Sequence, residues 1–276
     1  MINMISLLLM SVPVGLLGSL TGLGGASILI PLLVSLEIPV KEAIACGMVT
    51  IIATSSGSAA SYVKEKIANV RLGMFLEMFT TVGALAGATI TTLISPVYLY
   101  FLFAGVLATS FLKIKKPGRN QIPDPPNQDR FSAWLKLQGY YYDEATHQKV
   151  AYRAANALLG GVGMLVAGLA AGMLGIGAGA FKVSIQENIL KIPPKVASST
   201  SNFIIGMTAL AGTSVYLYSG LLNLTIISPM AVGTTAGALI GGRLLNKLGD
   251  RTLRFLFLAT VLFLIMQMIY KGIGAI

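Results

Sequence analysis

The stretch Gly15-Leu-Leu-Gly-Ser-Leu-Thr-Gly-Leu-Gly24 returns later in the chain as Gly168-Leu-Ala-Ala-Gly-Met-Leu-Gly-Ile-Gly177. Glycine occupies the first, eighth and tenth positions of both copies, and both lie in apolar sequence. Further matches follow in the same order: residues 38–41, 62, 69, 80–87 and 101–103 match residues 192–195, 216, 223, 234–241 and 255–257. Because Pro, Asn and Lys recur in order among these matches, we predict that the chain consists of two homologous halves.

The composition indicates that these halves fold in a membrane. Of the 276 residues, 55% are hydrophobic and 11% are charged, against about 25% charged residues in a soluble domain. About 20 apolar residues cross a bilayer as a helix. Eight apolar stretches are present: residues 3–35, 43–63, 72–94, 97–112, 154–181, 196–218, 221–245 and 253–270. The sequence therefore predicts an all-α polytopic protein in the lipid bilayer, with about eight transmembrane helices, four in each half.

The segment between the halves differs from both. Residues 113–153 contain eight basic and four acidic residues and a Pro-rich patch at 122–126, which is typical of a soluble connector. We therefore divide the chain into a first transmembrane repeat (1–112), a cytoplasmic connector (113–152) and a second transmembrane repeat (153–276).

The charges of the loops suggest that one half is inverted relative to the other. Lys64, Lys66 and Arg71 lie between two stretches of the first half, whereas the matching loop of the second half has no basic residue. The opposite holds for the next loop, which is basic only in the second half, at 243–254. Basic loops stay in the cytoplasm. Inversion requires an odd number of crossings in each half, so the Gly-rich first stretch would be broken or re-entrant. A plain count of four plus four predicts parallel repeats instead.

Several classes of function are excluded or disfavoured by the residue counts. The net charge of +10 would suggest nucleic acid in a soluble chain, but here the basic residues are those of loops, and no basic patch is interleaved with aromatic residues. One cysteine (Cys46) and one histidine (His147) cannot build a disulfide, a zinc site or a Cys/His nucleophile pair. We therefore expect no nucleic-acid partner, no metal, no cofactor and no enzymatic activity. An intramembrane hydrolase that uses serine and Lys182 is the alternative in the enzyme class.

The glycine turns are the first candidates for a binding site. Glycine permits close approach of the backbone to a ligand, and unwound backbone at membrane depth occurs only where it is buried or lines a cavity. We predict that exposed N–H groups of two broken helices bind an anion there. The candidate glycines are Gly22, Gly24, Gly25, Gly175, Gly177 and Gly179. Close helix packing, suggested by Gly168-xxx-Gly172, is the alternative.

Polar side chains within apolar stretches are the other candidates. Hydroxyl and amide groups can replace the hydration shell of an oxyanion, although bonds between helices would also explain them. The candidates are Thr54, Ser55, Ser199, Thr200, Ser201 and Asn202. Lys182 follows the second turn and could neutralise the anion, because an ionisable residue in a span marks a functional site. Pairing with Glu187, or extension to the interface, are its alternatives. Glu77 follows a basic loop and is expected at the interface.

These residues also resemble a known family. The Gly22-Leu-Gly-Gly25 turn that leads to Pro31, the segment Gly175–Val183 and the segment Ala197–Phe203 are similar to the sulfite exporter (TauE/SafE) family of membrane permeases, over both halves but not the connector. The chain departs from the family pattern at Val183-Ser184, where Val-Pro is usual, and at Ala178, where glycine is usual.

The resemblance implies a multi-pass transporter of the inner cell membrane for sulfite, a sulfonate or a related sulfur-containing anion. With the residues above, it predicts a permease that binds the anion near midplane and works by alternating access. A passive anion channel would use the same residues and remains an alternative. A homodimer is an arrangement that the sequence leaves open.

Overall fold

The computed structural model describes residues 4–21, 25–64, 67–113, 128–143, 148–245 and 250–274. Within these ranges the first half forms α1 (Met4–Thr21), α2 (Gly25–Ser35), α3 (Val40–Lys64), α4 (Val70–Leu93) and α5 (Pro96–Lys113). The connector forms α6 (Arg130–Trp134), β1 (Gln138–Asp143) and β2 (Gln148–Arg153). The second half forms α7 (Ala157–Leu174), α8 (Gly179–Asn188), α9 (Pro194–Tyr218), α10 (Leu224–Leu245) and α11 (Asp250–Ile273). The predicted helical class is confirmed.

The long apolar stretch 154–181 is two helices that fold back on each other. Gly175 ends α7 with φ 66°, and Gly177 has φ 69°, so the chain leaves the helical direction at once. The backbone N–H of Ala155 donates to the carbonyl of Leu190 over 3.0 Å, which places the end of α8 beside the start of α7. The pair α7–α8 is therefore a helical hairpin whose open ends lie side by side.

Glycines bring four helices into backbone contact in two matching pairs, α4 with α7 and α1 with α10. A Cβ atom on Gly168 would lie 2.3 Å from the carbonyl oxygen of Thr80, and one on Gly15 would lie 2.1 Å from that of Thr234. These distances leave no room for a side chain, as at other crossings of membrane helices that use small residues. Gly168 therefore serves close packing, as the small-residue alternative predicted.

The direction of neighbouring helices follows from which residues meet. On the α4–α7 contact, Gly161 lies against Phe79 and Gly87 lies against Met173, so residue numbers rise together and the two helices run parallel. On the α3–α9 contact, Gly206 lies against Ser55 and Gly212 lies against Met48. Along this contact the residue numbers of α9 rise while those of α3 fall. The central helices α3 and α9 are therefore antiparallel.

The connector contains a β-hairpin that the sequence analysis did not predict. Strands β1 and β2 pair antiparallel, with Tyr141 opposite Val150, and their β-branched and aromatic residues suit a half-buried strand. Residues of the hairpin pack with α4 and α9 in one apolar cluster: Leu137, Tyr141, Val150 and Tyr152 with Leu72, Leu76 and Val196. The amide of Asn69 donates to the Tyr152 hydroxyl over 3.0 Å. We call this side of the molecule, where α4 and α9 begin, the connector end.

Candidate functional site

The second glycine turn lies halfway along the two central helices. A Cβ atom on Gly177 would lie 3.0 Å from Cγ2 of Ile205 and 3.4 Å from Cδ1 of Ile51. Ile205 is in the middle of the 25-residue helix α9, and Ile51 is in the middle of the 25-residue helix α3. The turn is therefore at mid-depth of the helical bundle, where the predicted site was expected.

Helix α8 begins from this turn. The first N–H groups of any helix lack carbonyl partners within the helix, and the helix dipole adds positive potential there. Its N-cap residue, Ala178, has no side-chain group that caps these donors. The N-terminal end of α8 therefore points positive potential at the centre of the molecule, which is favourable for an anion.

Ala178 itself adopts the left-handed conformation, with φ 51° and ψ 33°. Glycine would adopt this conformation at lower cost, because it has no Cβ atom. A left-handed non-glycine residue costs about 1–2 kcal/mol. The turn before α8 therefore carries backbone strain at Ala178.

We expect Ala178→Gly to raise the stability by about 1 kcal/mol, since relief of the left-handed strain exceeds the extra freedom that glycine gives to the unfolded chain. The measurement is the thermal unfolding midpoint of the purified protein in detergent. The matched control is Ala170→Gly in the regular helix α7, which should lower the stability by about 1 kcal/mol. Equal losses in both variants would contradict the strain at Ala178.

Lys182 is fully buried, one turn after the start of α8. Its ammonium group donates to Oγ1 of Thr208 on α9 over 2.8 Å. An ammonium carries three donors, so this bond does not exhaust its capacity. The predicted alternatives of pairing with Glu187, and of extension to the interface, are wrong, because the side chain is directed into the contact between α8 and α9.

Glu77 is the charged group on the other side of Thr208. The Thr208 hydroxyl lies 3.0 Å from Oε2 of Glu77, and the hydroxyls of Thr80 and Thr81 donate to its two oxygens over 2.8 and 2.7 Å. The Glu77 residue is only 5% exposed. The expectation of an interfacial position is therefore wrong: α4 directs the carboxylate inward, where it faces Lys182 across one hydroxyl.

Two buried polar side chains of α8 and α9 lack hydrogen-bond partners. Gln186 lies one turn after Lys182 on the same face of α8, and neither atom of its buried amide has a hydrogen-bond partner. The hydroxyl oxygen of Ser201 on α9, which packs against α8, is also buried without a partner. Buried polar groups are normally satisfied. These two side chains therefore offer donors and acceptors to a ligand.

The other predicted residues divide into central and peripheral groups. Gly22 and Gly24 lie outside the described residues, and Gly25 is buried, with Gly15 and Thr234 close to it. Gly175 lies against Ile44, and Gly179 lies against Ile205.

The predicted hydroxyl and amide residues lie on the two central helices. On α3, the hydroxyls of Thr54 and Ser55 donate to backbone carbonyls of the same helix. On α9, the Ser199 hydroxyl donates to the carbonyl of Val196, and the Asn202 amide donates to the carbonyl of Ser198. The Thr200 hydroxyl accepts a hydrogen bond from the backbone N–H of Asn69 at the connector end.

The structure thus brings Lys182 and the second turn to the centre, whereas Thr200, Ser201 and Asn202 lie nearer the start of α9. Sequence reasoning missed Thr208 and Gln186 and misplaced Glu77. One signal was available: the spacing of Glu77, Thr80 and Thr81 puts three polar side chains on one face of a helix, and Lys182 and Gln186 share a face in the same way.

Comparison with known proteins identifies relatives of the chain. The profile of the family described as Sulfite exporter TauE/SafE matches residues 7–268. The chain is 25% identical to a probable membrane transporter protein, YunE, of Bacillus subtilis, over 98% of this chain and 99% of that protein. It is 24% identical to YdhB, another probable membrane transporter protein of Bacillus subtilis, over 84% of this chain and 86% of that protein. No solved structure matches the chain. These proteins are named as transporters and not as enzymes, so the alternative of an intramembrane hydrolase is set aside.

Proposed function

The chain belongs to the sulfite exporter TauE/SafE family of membrane transporters, and from this premise we propose that it carries a small sulfur-containing oxyanion across the inner cell membrane by alternating access. Sulfite is the substrate that the family description names, and a sulfonate is the related anion that the sequence resemblance implies. The observation that carries the proposal is Lys182, a fully buried cation close to the start of a half-helix at mid-depth.

The chemistry around Lys182 suits an oxyanion. The ammonium supplies charge and strong donors, because hydrogen bonds to ionised groups are shorter and stronger than neutral ones. The unpartnered amide of Gln186, one helical turn from Lys182, can bind the remaining oxygens. The start of α8 adds backbone N–H groups and a positive dipole end. A half-helix that ends at a substrate is also the arrangement of many secondary transporters.

Two inverted repeats are the architecture that supports alternating access. The matching contacts of Gly15 and Gly168 support two related halves. Because α3 and α9 occupy the same place in each half and run antiparallel, the axis that relates the halves lies in the membrane plane. We propose that α3–α5 and α9–α11 cross the bilayer, three helices in each half, and that α1–α2 and α7–α8 are re-entrant hairpins. This arrangement replaces the eight crossings of the sequence analysis.

The inverted arrangement predicts the side on which two exposed residues lie. Arg71 is exposed at the start of α4, and Tyr218 is 96% exposed at the end of α9. Cysteine at position 71 should react with a membrane-impermeant maleimide only in inside-out vesicles, and cysteine at position 218 only in intact cells, both in a Cys46→Ala background. Labelling of both positions from the same side would contradict the inversion.

The substrate is tested by uptake into proteoliposomes. The purified chain is reconstituted and offered labelled sulfite, sulfate, thiosulfate, a sulfonate and a carboxylate, with protein-free vesicles as the control for passive entry. We expect saturable uptake of sulfite or of the sulfonate, and no uptake of the carboxylate. Preference for the carboxylate would contradict a sulfur-containing substrate.

A further inference from the structure

The charged cluster at the centre is present in only one copy. The matched motifs place Thr54 opposite Thr208, but they place an apolar residue, Ile28 or Leu29, opposite Lys182 and Ala231 opposite Glu77. The matching pair of helices, α1 and α10, therefore packs without these charges. A purely structural role would be served equally well by apolar residues of similar size. The cluster thus has a task that the packing of the two halves does not need.

Neither charge of the cluster is tolerable alone. Glu77 is 5% exposed and Lys182 is 0% exposed, and an uncompensated buried charge is strongly unfavourable. In the structure they neutralise each other through Thr208, which accepts from the lysine and faces the carboxylate over 3.0 Å. An anion that binds the ammonium neutralises it in place of Glu77, so the carboxylate loses its counter-charge. The carboxylate must then either leave the interior or gain a proton.

We propose that Glu77 is a proton-binding site that couples the bound anion to one proton. The inference rests on the proposed binding of the anion at Lys182. Before binding, the cluster consists of one ammonium and one carboxylate; afterwards it consists of one ammonium, one monovalent anion and one neutral carboxylic acid. The net charge is zero in both states, so the loaded site can turn across the membrane without moving charge. The proton comes from solvent and adds to a carboxylate oxygen of Glu77.

The hydroxyl of Thr208 has the geometry to accommodate both states. It carries a single proton, and two acceptors compete for it: Oε2 of Glu77 at 3.0 Å and the carbonyl of Ile204 at 2.8 Å. With Glu77 ionised, the hydroxyl donates to the carboxylate. With Glu77 protonated, it turns to Ile204 and accepts from the acid. No buried donor loses its partner in the exchange.

Other titratable groups around Glu77 do not offer the same chemistry. Helix α7, which packs on α4, has no titratable residue. On α9, Lys195 and Tyr218 are exposed, near the two ends of the helix, and the Tyr216 hydroxyl donates to the carbonyl of Gly172 over 2.6 Å. Lys41 of α3 binds the carbonyl of Thr92 at the far end of α4. The charge that faces Glu77 from α8 is Lys182.

The test compares two kinds of flux in proteoliposomes that contain the full chain. Exchange of labelled sulfite at equal concentrations inside and outside reports binding and turnover without net proton movement. Accumulation of labelled sulfite driven by an alkaline interior reports coupling, after subtraction of the passive accumulation in protein-free vesicles. The variants are Glu77→Gln and, as the matched control, Glu187→Gln, a carboxylate on α8 outside the cluster.

We expect wild type and Glu187→Gln to accumulate sulfite, and Glu77→Gln to fall to the level of protein-free vesicles while part of its exchange persists. Accumulation by Glu77→Gln equal to that of wild type would overturn the proposal, as would a wild type that exchanges sulfite but does not accumulate it in response to the gradient. Absence of wild-type sulfite exchange would count against the proposed function instead.

If Glu77→Gln shows no sulfite exchange, infrared difference spectroscopy tests the protonation of Glu77 without the need for transport. Addition of sulfite to detergent-solubilised wild type, and to Glu187→Gln, should produce the carbonyl stretch of a protonated carboxylic acid, and Glu77→Gln should lack it. A wild-type spectrum without this band would overturn the proposal.

Discussion

Lys182→Met is expected to weaken the binding of the anion by one to two decades. Methionine keeps most of the length of the side chain but removes the charge and its donors. A hydrogen bond to a charged group contributes about 1.5–3 kcal/mol, and about 1.4 kcal/mol corresponds to a tenfold change in affinity. The measurement is the concentration dependence of sulfite uptake in proteoliposomes. Lys191→Met, which removes an exposed lysine just beyond α8, is the control and should transport like wild type.

The same substitution is expected to destabilise the protein, for a reason that separates structure from transport. It leaves Glu77 buried without a counter-charge, and removal of one partner of a buried ion pair costs about 3–5 kcal/mol. Adding Glu77→Gln should therefore restore the unfolding midpoint but not the uptake. Restoration of both would make Lys182 a structural residue, and a stable Lys182→Met variant with full uptake would remove it from the site.

Gly168→Ala is expected to lower the stability of the fold, although it adds only one methyl group. The added Cβ would lie 2.3 Å from the Thr80 carbonyl oxygen, and backbone cannot yield as a flexible side chain does. Overpacking of this kind costs about 1–3 kcal/mol. We expect a lower unfolding midpoint in detergent and less folded protein in the membrane.

Gly105→Ala is the matched control, because it makes the same change in a helix where nothing lies within 4 Å of the added atom. It should be neutral or slightly stabilising, since alanine favours the helix by about 1 kcal/mol over glycine. Equal behaviour of the two variants would contradict the close contact between α4 and α7.

The repeated glycines predicted that the helix is broken or re-entrant after α7 but did not decide between the two. Gly175 and Gly177 indicate that the helix ends there. The direction of α8 depends on a contact that the local sequence does not show, between Leu190 after α8 and Ala155 before α7. The β-hairpin was missed because its tyrosines, in a basic segment, also fit an interfacial position. Its packing on Leu72 and Val196 joins residues far apart in the sequence.

The candidate site shows the same division between local and long-range information. Lys182 was found because a lysine in an apolar segment is unusual whatever surrounds it. Its neighbour Glu187 was the natural local partner, but a helix places consecutive residues about 100° apart, so residues 182 and 187 face different directions. The contact with Thr208, and through it with Glu77, depends on how α4, α8 and α9 meet.

The central claim is that a sulfur-containing oxyanion is carried by a site that opens to one side at a time. The most direct measurement is counterflow: vesicles with the reconstituted chain are loaded with unlabelled sulfite and diluted into a trace of labelled sulfite. A carrier that alternates predicts a transient accumulation of label above its external concentration, absent from protein-free vesicles and strongly reduced in Lys182→Met. Label that only equilibrates, at a rate that does not saturate with sulfite, would contradict the account and indicate a passive pore.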